Sequence, residues 1–274
     1  LVYSRREWFP IAKVSPARAI EVKARDGMQL HGYLTLPNGK EKPLPLVVMP
    51  HGGPFGVFDR WEFDDDSQML ADAGYAVLRL NYRGSGNYGR DSYQAGARQW
   101  GKRMQDDLTD ATRWAIEQQI ADPSRICIYG ASYGGYAALM GAAKEPSLYK
   151  CAVGYVGVYD LEKMHKDDAK YSRSWKTWTN EWLGERDTLA EVSPVNLAAR
   201  IKAPVFLAAG GQDERAPVEH TRKMEKALQQ AGVPVESLYF KSEGHGFFTE
   251  EHRREYYTRL LAFLATHLGG AQAK

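Results

Sequence analysis

The residues of this sequence that are best suited to chemistry centre on a serine flanked by glycines. Ser132 lies in the run 130–134, which reads Gly-Ala-Ser-Tyr-Gly. The apolar run 126–129 before it predicts a buried strand, and the small residues of 134–144 after it predict a helix. A serine at a sharp strand-to-helix turn exposes its hydroxyl above the sheet, as nucleophile-elbow serines do. We therefore predict that Ser132 is a nucleophile rather than part of a plain glycine-rich turn.

A serine nucleophile needs a histidine base and a carboxylate that orients the imidazole. On a nucleophile-elbow fold these residues follow in the order serine, acid, histidine. His245 stands between two glycines after the strand-like run 235–240, which predicts a tight loop that presents its ring. Asp213 follows the strand-like run 205–209, and Asp160 also follows a strand and satisfies the order. We predict His245 as base and Asp213 as acid, with Asp160 as the alternative.

An acyl-transfer site also needs hydrogen-bond donors for the oxyanion. The backbone N–H of Tyr133, at the predicted helix start, is the first candidate. The second should come from the loop after the third strand, where 49–55 reads Met-Pro-His-Gly-Gly-Pro-Phe. Gly53 is our candidate there, and a plain tight turn is the alternative. We expect His51 to pack against this loop or hydrogen-bond to it.

The sequence shows no pattern of a metal or nucleotide site, so we expect no cofactor. It contains neither H-x-x-x-H nor C-x-x-C, and the glycine-rich run 84–89 lacks the lysine of a P-loop. The histidines near the C-terminus other than His245, among them His220 and His252, are predicted on polar helix surfaces. Each of these patterns therefore favours a structural role over ligand binding.

The two cysteines, Cys127 and Cys151, provide no disulfide framework or metal spacing. Each lies in a short apolar run that predicts a buried strand. We expect two inert core thiols. The alternative is a disulfide between neighbouring strands, whose spacing would bring the Cα atoms within range.

The pattern along the chain alternates between strands and helices after an antiparallel start. Asp26-Gly27 predicts a hairpin turn between the first two strands. Alternation of this kind predicts an α/β fold, a mostly parallel sheet with helices on both faces and a site at the carboxyl ends of its strands. The predicted strands are 19–24, 29–36, 46–49, 76–80, 126–129, 152–156, 205–209 and 235–240, and the predicted helices are 62–73, 103–120, 134–144, 218–231 and 252–268.

Composition narrows the class of protein. The chain has 274 residues, a net charge of +2 and 43% hydrophobic residues, which is typical of a globular protein and indicates neither nucleic acid nor an acidic membrane as partner. No apolar stretch approaches the roughly 18 residues that span a bilayer. Residues 1–18 lack periodicity and are predicted to be an arm or linker before a domain at 19–274. Nothing distinguishes a cytoplasmic from a periplasmic location, and homo-oligomerisation stays open.

Five motifs together resemble the prolyl oligopeptidase family of serine peptidases. They lie at 51–54, 81–85, 130–136, 213–217 and 244–247. They are most similar to the branch of acylaminoacyl-peptidases and bacterial dipeptidyl-aminopeptidase-like enzymes. The resemblance extends from about residue 20 to the end of the chain and implies the α/β-hydrolase fold.

The resemblance also implies a reaction, the cleavage of short peptides through an acyl-enzyme. Ser132, Asp213 and His245 would form the triad, and Gly53 and Tyr133 would supply the oxyanion N–H groups. An acyl-enzyme serine peptidase of this kind needs no metal.

The same resemblance implies residues that bind substrate. Arg215 would hold a backbone carbonyl of the peptide, Val158 would form a wall of the primary pocket, and Trp178 would be a pocket aromatic. Prolyl-cleaving members carry a tyrosine where this chain has His51, which argues against strict proline specificity. Family members also carry an N-terminal β-propeller over the site, from which residues 1–18 would descend as a linker.

Two other functions compete with a peptidase. A carboxylesterase of the same fold would use the same triad, because fold does not determine substrate. A catalytically inactive binding scaffold is the third function, and the filled catalytic positions argue against it.

Overall fold

The computed structural model describes residues 11–171 and 173–269, which form a helix-covered sheet of eight strands. The strand order is β1-β2-β4-β3-β5-β6-β7-β8. The strands are β1 (Ala17–Lys23), β2 (Gln29–Thr35), β3 (Leu44–Val48), β4 (Ala76–Asn81), β5 (Ala121–Ala131), β6 (Cys151–Tyr155), β7 (Val205–Gly210) and β8 (Val235–Phe240). The helices are α1 (Asp65–Asp72), α2 (Gly89–Gln94), α3 (Arg103–Glu117), α4 (Tyr133–Lys144), α5 (Leu161–Tyr171), α6 (Arg173–Trp182), α7 (Val218–Gln230) and α8 (Glu250–Leu268).

The sheet combines an antiparallel entry with a parallel body, which confirms the predicted α/β class. β1 and β2 form an antiparallel hairpin, and β2 also runs antiparallel to β4. From β4 to β8 every neighbouring pair is parallel. β1 begins at Ala17, two residues before the predicted strand 19–24. Residues 1–10 of the predicted arm lie outside the described residues.

The buried core lies on both faces of the sheet. Leu46 and Val48 of β3 face a core shared with α3, α4 and α7, whereas Val47 faces a core shared with α1 and α8. All five residues of β3 are buried, as expected for a central parallel strand covered on both sides. The parallel strands from β4 to β8 in the sheet order end at a common edge, where loops carry the candidate site. In the part of the chain that the structure describes, no helix is long and apolar enough to cross a membrane.

The two cysteines are joined across neighbouring strands. Cys127 of β5 and Cys151 of β6 are register partners, with Cα atoms 4.7 Å apart, and they form a disulfide. The expectation of two free thiols was therefore wrong, and the alternative of a cross-strand disulfide is the one observed. Sequence patterns place each cysteine in a strand, but the register that makes them opposite neighbours is a tertiary property.

The stretch 160–195 is an excursion from the strand–helix alternation, as predicted. It contains α5, α6 and short 3₁₀ turns at Arg186–Thr188 and Ala190–Val192. His165 on α5 and Asn180 on α6 are joined by a hydrogen bond of 2.6 Å, which ties the two helices together.

His220 is buried, which corrects the prediction of a polar helix surface. It is only 2% exposed, and its Nδ1 accepts hydrogen bonds from the backbone N–H groups of Tyr159 and Asp160, each at 3.3 Å. An accepting Nδ1 carries no proton, and burial lowers the pKa of His220 to about 4. The ring is therefore neutral in the folded protein, and it fixes the backbone that follows β6.

The folded protein should become less stable as the pH is lowered, because of His220. The unfolded chain binds a proton at this residue near pH 6.5, whereas the folded protein does so only near pH 4, so stability is lost as the pH drops through that window. Urea denaturation between pH 7 and pH 4 measures how steeply the free energy of unfolding changes with pH. This slope should be smaller in His220→Gln than in wild type by up to about 1.4 kcal/mol per pH unit. Equal slopes in the two proteins would contradict the buried neutral imidazole.

Candidate active site

Ser132 occupies a strained turn between β5 and α4. Its φ of +57° is a left-handed conformation, which is uncommon for residues other than glycine. The turn also requires glycines on both sides. A β-carbon on Gly130 would lie 2.5 Å from the carbonyl carbon of Gly134, and one on Gly134 would lie 2.2 Å from the carbonyl oxygen of Pro50. The predicted strand, turn and helix around Ser132 are confirmed in this geometry.

Asp213 and His245 are brought together from two different loops. Nδ1 of His245 lies 2.8 Å from Oδ2 and 3.0 Å from Oδ1 of Asp213. The carboxylate is buried, and its Oδ1 also accepts hydrogen bonds from the N–H groups of Arg215 and Ala216, both at 2.9 Å. Because Nδ1 donates to a fixed carboxylate, Nε2 is left free to accept a proton.

Asp160, the alternative acid, is engaged elsewhere. Its Oδ2 forms a salt bridge with Lys223 of α7, and its Oδ1 accepts a hydrogen bond of 2.9 Å from the N–H of Lys163. The carboxylate therefore caps the first turn of α5 and is paired with a lysine. The contact with His245 belongs to Asp213, which favours Asp213 for the acid.

The predicted oxyanion donors come from the two segments that surround Ser132. Tyr133 begins α4, and its N–H is one of the first-turn amides that have no acceptor within the helix. The 51–54 loop lies directly beside the nucleophile, because a β-carbon on Gly52 would be 3.6 Å from Cβ of Ser132. Gly53 has a φ of +116°, which turns its backbone in a way that a side chain would disfavour.

His51 orders this loop through its ring. Its Nδ1 lies 2.7 Å from the carbonyl oxygen of Gly52, and its Nε2 lies 2.8 Å from Oγ of Ser85. The ring stacks on Tyr82, whose hydroxyl donates to the backbone oxygen of His51. Burial lowers the pKa of His51 to about 4, so the neutral ring donates from Nδ1 and accepts from Ser85. The expectation that His51 hydrogen-bonds the loop is confirmed.

Of the residues expected to bind substrate, Arg215 is the most available. Its side chain is exposed and, among the described residues, forms no hydrogen bond or salt bridge with the protein. It projects from the same loop as Asp213, two residues further along. A cation at this position can reach a polar group of a bound molecule without breaking an existing contact.

The two apolar residues expected around the substrate lie in different segments of the chain. Val158 is 6% exposed and belongs to the core after β6. Trp178 is 36% exposed, and its ring meets Phe55 edge-on at 6.1 Å. Phe55 follows the oxyanion loop and also contacts Trp182 at 4.9 Å. An aromatic cluster therefore connects α6 to the loop beside Ser132.

The sequence analysis missed two residues that hold the site together, Tyr155 and Glu243. Glu243 is buried, and its carboxylate accepts from the N–H groups of Phe248 and Thr249 and contacts Nδ1 of His252 at 2.7 Å. Burial opposes its ionisation, but these hydrogen bonds prevail and lower the pKa of Glu243 to about 2. The only signal in the sequence was an acidic residue two positions before His245. His252 is thus partly buried against Glu243 and not on a purely polar surface.

The described residues contain no group of three or more His, Cys, Asp or Glu side chains that could hold a metal ion. What the arrangement can do is nucleophilic chemistry. It combines a partly exposed serine on a strained turn, a base held by a buried carboxylate, and the predicted oxyanion donors Gly53 and Tyr133 in the segments beside the serine.

Comparisons with known proteins agree with this geometry. A model of the prolyl oligopeptidase family matches residues 61–271, well over half of the chain. The chain belongs to the prolyl oligopeptidase family. It has the α/β-hydrolase fold that the resemblance of the motifs implied.

Several relatives show where in this family the chain lies. It is 36% identical over 269 residues to dipeptidyl aminopeptidase BIII of Pseudoxanthomonas mexicana, covering 93% of this chain and 39% of the relative. It is 28% identical to the acylamino-acid-releasing enzyme of Rattus norvegicus, and that match covers 82% of this chain and 32% of the relative. A puromycin-hydrolyzing peptidase of Mycobacterium tuberculosis has a similar structure, with a TM-score of 0.87 and 28% identity over 97% of this chain and 41% of that one. The chain therefore spans about two fifths or less of the relatives it matches. The β-propeller stays a prediction.

Proposed function

We propose that this family member hydrolyses short peptides through an acyl-enzyme on Ser132, with His245 as general base and Asp213 as the acid that orients it. The observation that carries the proposal is the hydrogen bond of 2.8 Å between Nδ1 of His245 and the buried carboxylate of Asp213. The relatives support the substrate class, because they are named as a dipeptidyl aminopeptidase, an acylamino-acid-releasing enzyme and a puromycin-hydrolyzing peptidase.

The proposed reaction has two halves. Oγ of Ser132 attacks the peptide carbonyl while Nε2 of His245 takes its proton, and Asp213 stabilises the imidazolium through Nδ1–H. The N–H groups of Gly53 and Tyr133 donate to the oxyanion. The imidazolium then protonates the leaving amine, and the C–N bond breaks. Water, deprotonated by the same imidazole, attacks the ester, and Ser132 is released with its proton restored.

Substrate recognition is proposed for Arg215, Val158 and Trp178. The exposed guanidinium of Arg215, next to the acid Asp213, can donate to a backbone carbonyl of the peptide. Trp178 and Phe55 form an aromatic cluster beside the oxyanion loop, and Val158 follows β6 with 6% of its surface exposed. A site with an exposed cation and apolar walls suits a short peptide, whose backbone is polar and whose side chain is apolar.

Replacing Arg215 by alanine should separate peptide substrates from minimal esters. A charged hydrogen bond contributes about 1.5–3 kcal/mol, so kcat/KM for an aminoacyl-peptide anilide should fall roughly ten- to hundredfold. A short-chain aryl ester lacks the peptide carbonyl and should change less than threefold. Steady-state kinetics with both substrates measure the difference.

Arg222→Ala is the matched control, since Arg222 is also an exposed arginine but lies on α7. Arg222→Ala should leave kcat/KM for both substrates unchanged. Equal losses on peptide and ester in Arg215→Ala would refute the peptide contact. A wild-type enzyme that cleaves the aryl ester and not the anilide would refute the peptidase proposal in favour of a carboxylesterase.

A further inference from the structure

Tyr155 contacts both halves of the proposed catalytic machinery. It is the last residue of β6 and the register partner of Ala131, the residue before the nucleophile. Its carbonyl oxygen accepts a hydrogen bond of 2.9 Å from the backbone N–H of Ser132. Its phenol oxygen accepts another from the backbone N–H of Phe247, two residues after His245. One residue thus joins the turn 130–134 that carries Ser132, the serine turn, to the loop 241–249 after β8 that carries His245, the histidine loop.

The other hydrogen bonds described for the histidine loop lie within the loop or connect it to the loop that carries the acid Asp213 and to α8. His245 is at the apex of a tight turn, in which the N–H of Gly246 donates to the carbonyl oxygen of Gly244 at 2.9 Å. On the acid side, the N–H of Gln212 donates to the carbonyl oxygen of Glu243 at 2.8 Å. The carboxylate of Glu243 connects the loop to the start of α8. These contacts position His245 relative to Asp213 and α8, whereas the Tyr155 hydroxyl positions it relative to Ser132.

The phenol ring of Tyr155 is itself held in place. It stacks on Tyr256 of α8 with ring centroids 4.5 Å apart, and the edge of Phe247 packs against it at 4.9 Å. A tyrosine has only two side-chain torsions, so a ring held on two sides leaves the hydroxyl little freedom. The hydroxyl stays neutral at ordinary pH, because burial raises the pKa of Tyr155.

We infer that Tyr155 is a positioning residue that sets the approach of His245 to Ser132 by fastening the histidine loop to the serine turn. This inference rests on the proposed function, in which His245 takes the proton of Ser132. Proton transfer depends steeply on the distance and alignment of the two groups. A loop that is free to shift by a fraction of an ångström therefore slows the chemical step and leaves substrate binding unchanged.

The test is Tyr155→Phe, which keeps the stacked ring and removes only the hydroxyl. We expect kcat per titrated active site to fall about three- to tenfold on both the aryl ester and the anilide, the effect of one neutral hydrogen bond. KM should stay within twofold. The rate of covalent labelling by a fluorophosphonate probe should fall by the same factor as kcat, since it needs an activated serine but no peptide recognition.

Tyr256→Phe is the matched control. It removes a phenol hydroxyl from the same ring stack, and the hydrogen bonds described for the histidine loop do not include that hydroxyl. It should keep wild-type kcat and labelling rates. Thermal unfolding of both variants measures any loss of stability. Because kcat is expressed per titrated active site, unfolded protein does not lower it, and a fall in kcat then reports a loss of positioning.

Two results would overturn the inference. One is a kcat per titrated site and a labelling rate within 1.5-fold of wild type in Tyr155→Phe. The other is an equal loss in Tyr155→Phe and Tyr256→Phe, which would indicate a general effect of the ring stack. Neither result touches the proposed function, which is tested separately by the activity and labelling of Ser132→Ala and by the comparison of anilide with ester in the wild-type enzyme.

Discussion

Ser132→Ala should lower kcat by roughly 10⁴–10⁶-fold, the largest effect expected for any single substitution in this chain. The alanine removes the hydroxyl that would form the acyl-enzyme. The strained turn between β5 and α4 then presents a methyl group in place of the nucleophile. Binding should survive, because neither the oxyanion loop nor Arg215 changes. KM for an aminoacyl anilide is therefore expected to stay within a few-fold of wild type.

The measurement combines turnover with covalent labelling. The wild-type protein should bind a fluorophosphonate probe at Ser132, and Ser132→Ala should not be labelled. Ser124→Ala is the control, because Ser124 is an exposed serine whose hydroxyl donates to Asp122 at the far end of β5 from Ser132. It should be indistinguishable from wild type. Activity of Ser132→Ala above one hundredth of wild type, or a wild-type protein that the probe does not label, would contradict the assignment of the nucleophile.

Asp213→Asn should be the second largest effect, with kcat reduced roughly 10³–10⁴-fold. Nδ1 of His245 lies nearer to Oδ2 of the carboxylate, at 2.8 Å against 3.0 Å for Oδ1, and the two backbone N–H groups donate to Oδ1. Because the backbone donors keep the amide oxygen on their side, the amide nitrogen of asparagine would face Nδ1. The imidazole would then carry its proton on Nε2, the tautomer that cannot act as base towards serine.

Asp160→Asn is the decisive partner experiment, since Asp160 was the other acid that the sequence allowed. Its carboxylate pairs with Lys223 and caps α5, so the variant should lose stability and keep kcat within about fivefold. Thermal unfolding and steady-state kinetics of both variants measure these outcomes. A larger loss of kcat in Asp160→Asn than in Asp213→Asn would reverse the assignment.

The local sequence determined the elements that carry this chemistry. The apolar runs 126–129 and 205–209 and the glycines around Ser132 and His245 predict strands and tight turns, because the period of apolar residues and the demands of backbone conformation are local properties. Asp26-Gly27 likewise indicated the hairpin of β1 and β2. The family came from the resemblance of five short motifs, at 51–54, 81–85, 130–136, 213–217 and 244–247, and that resemblance implied the α/β-hydrolase fold.

Tertiary structure alone decided which of these residues meet. Asp213 and Asp160 both follow strands, and only the packing of the loop after β7 against the loop after β8 places one of them on His245. The register of β5 and β6 made Cys127 and Cys151 opposite neighbours, and the face of α7 that turns inward buried His220. Tyr155 had no signal at all, because its role depends on a hydroxyl reaching a loop 92 residues away in sequence. Contacts of this kind depend on how elements pack in three dimensions, and no local pattern in one sequence encodes them.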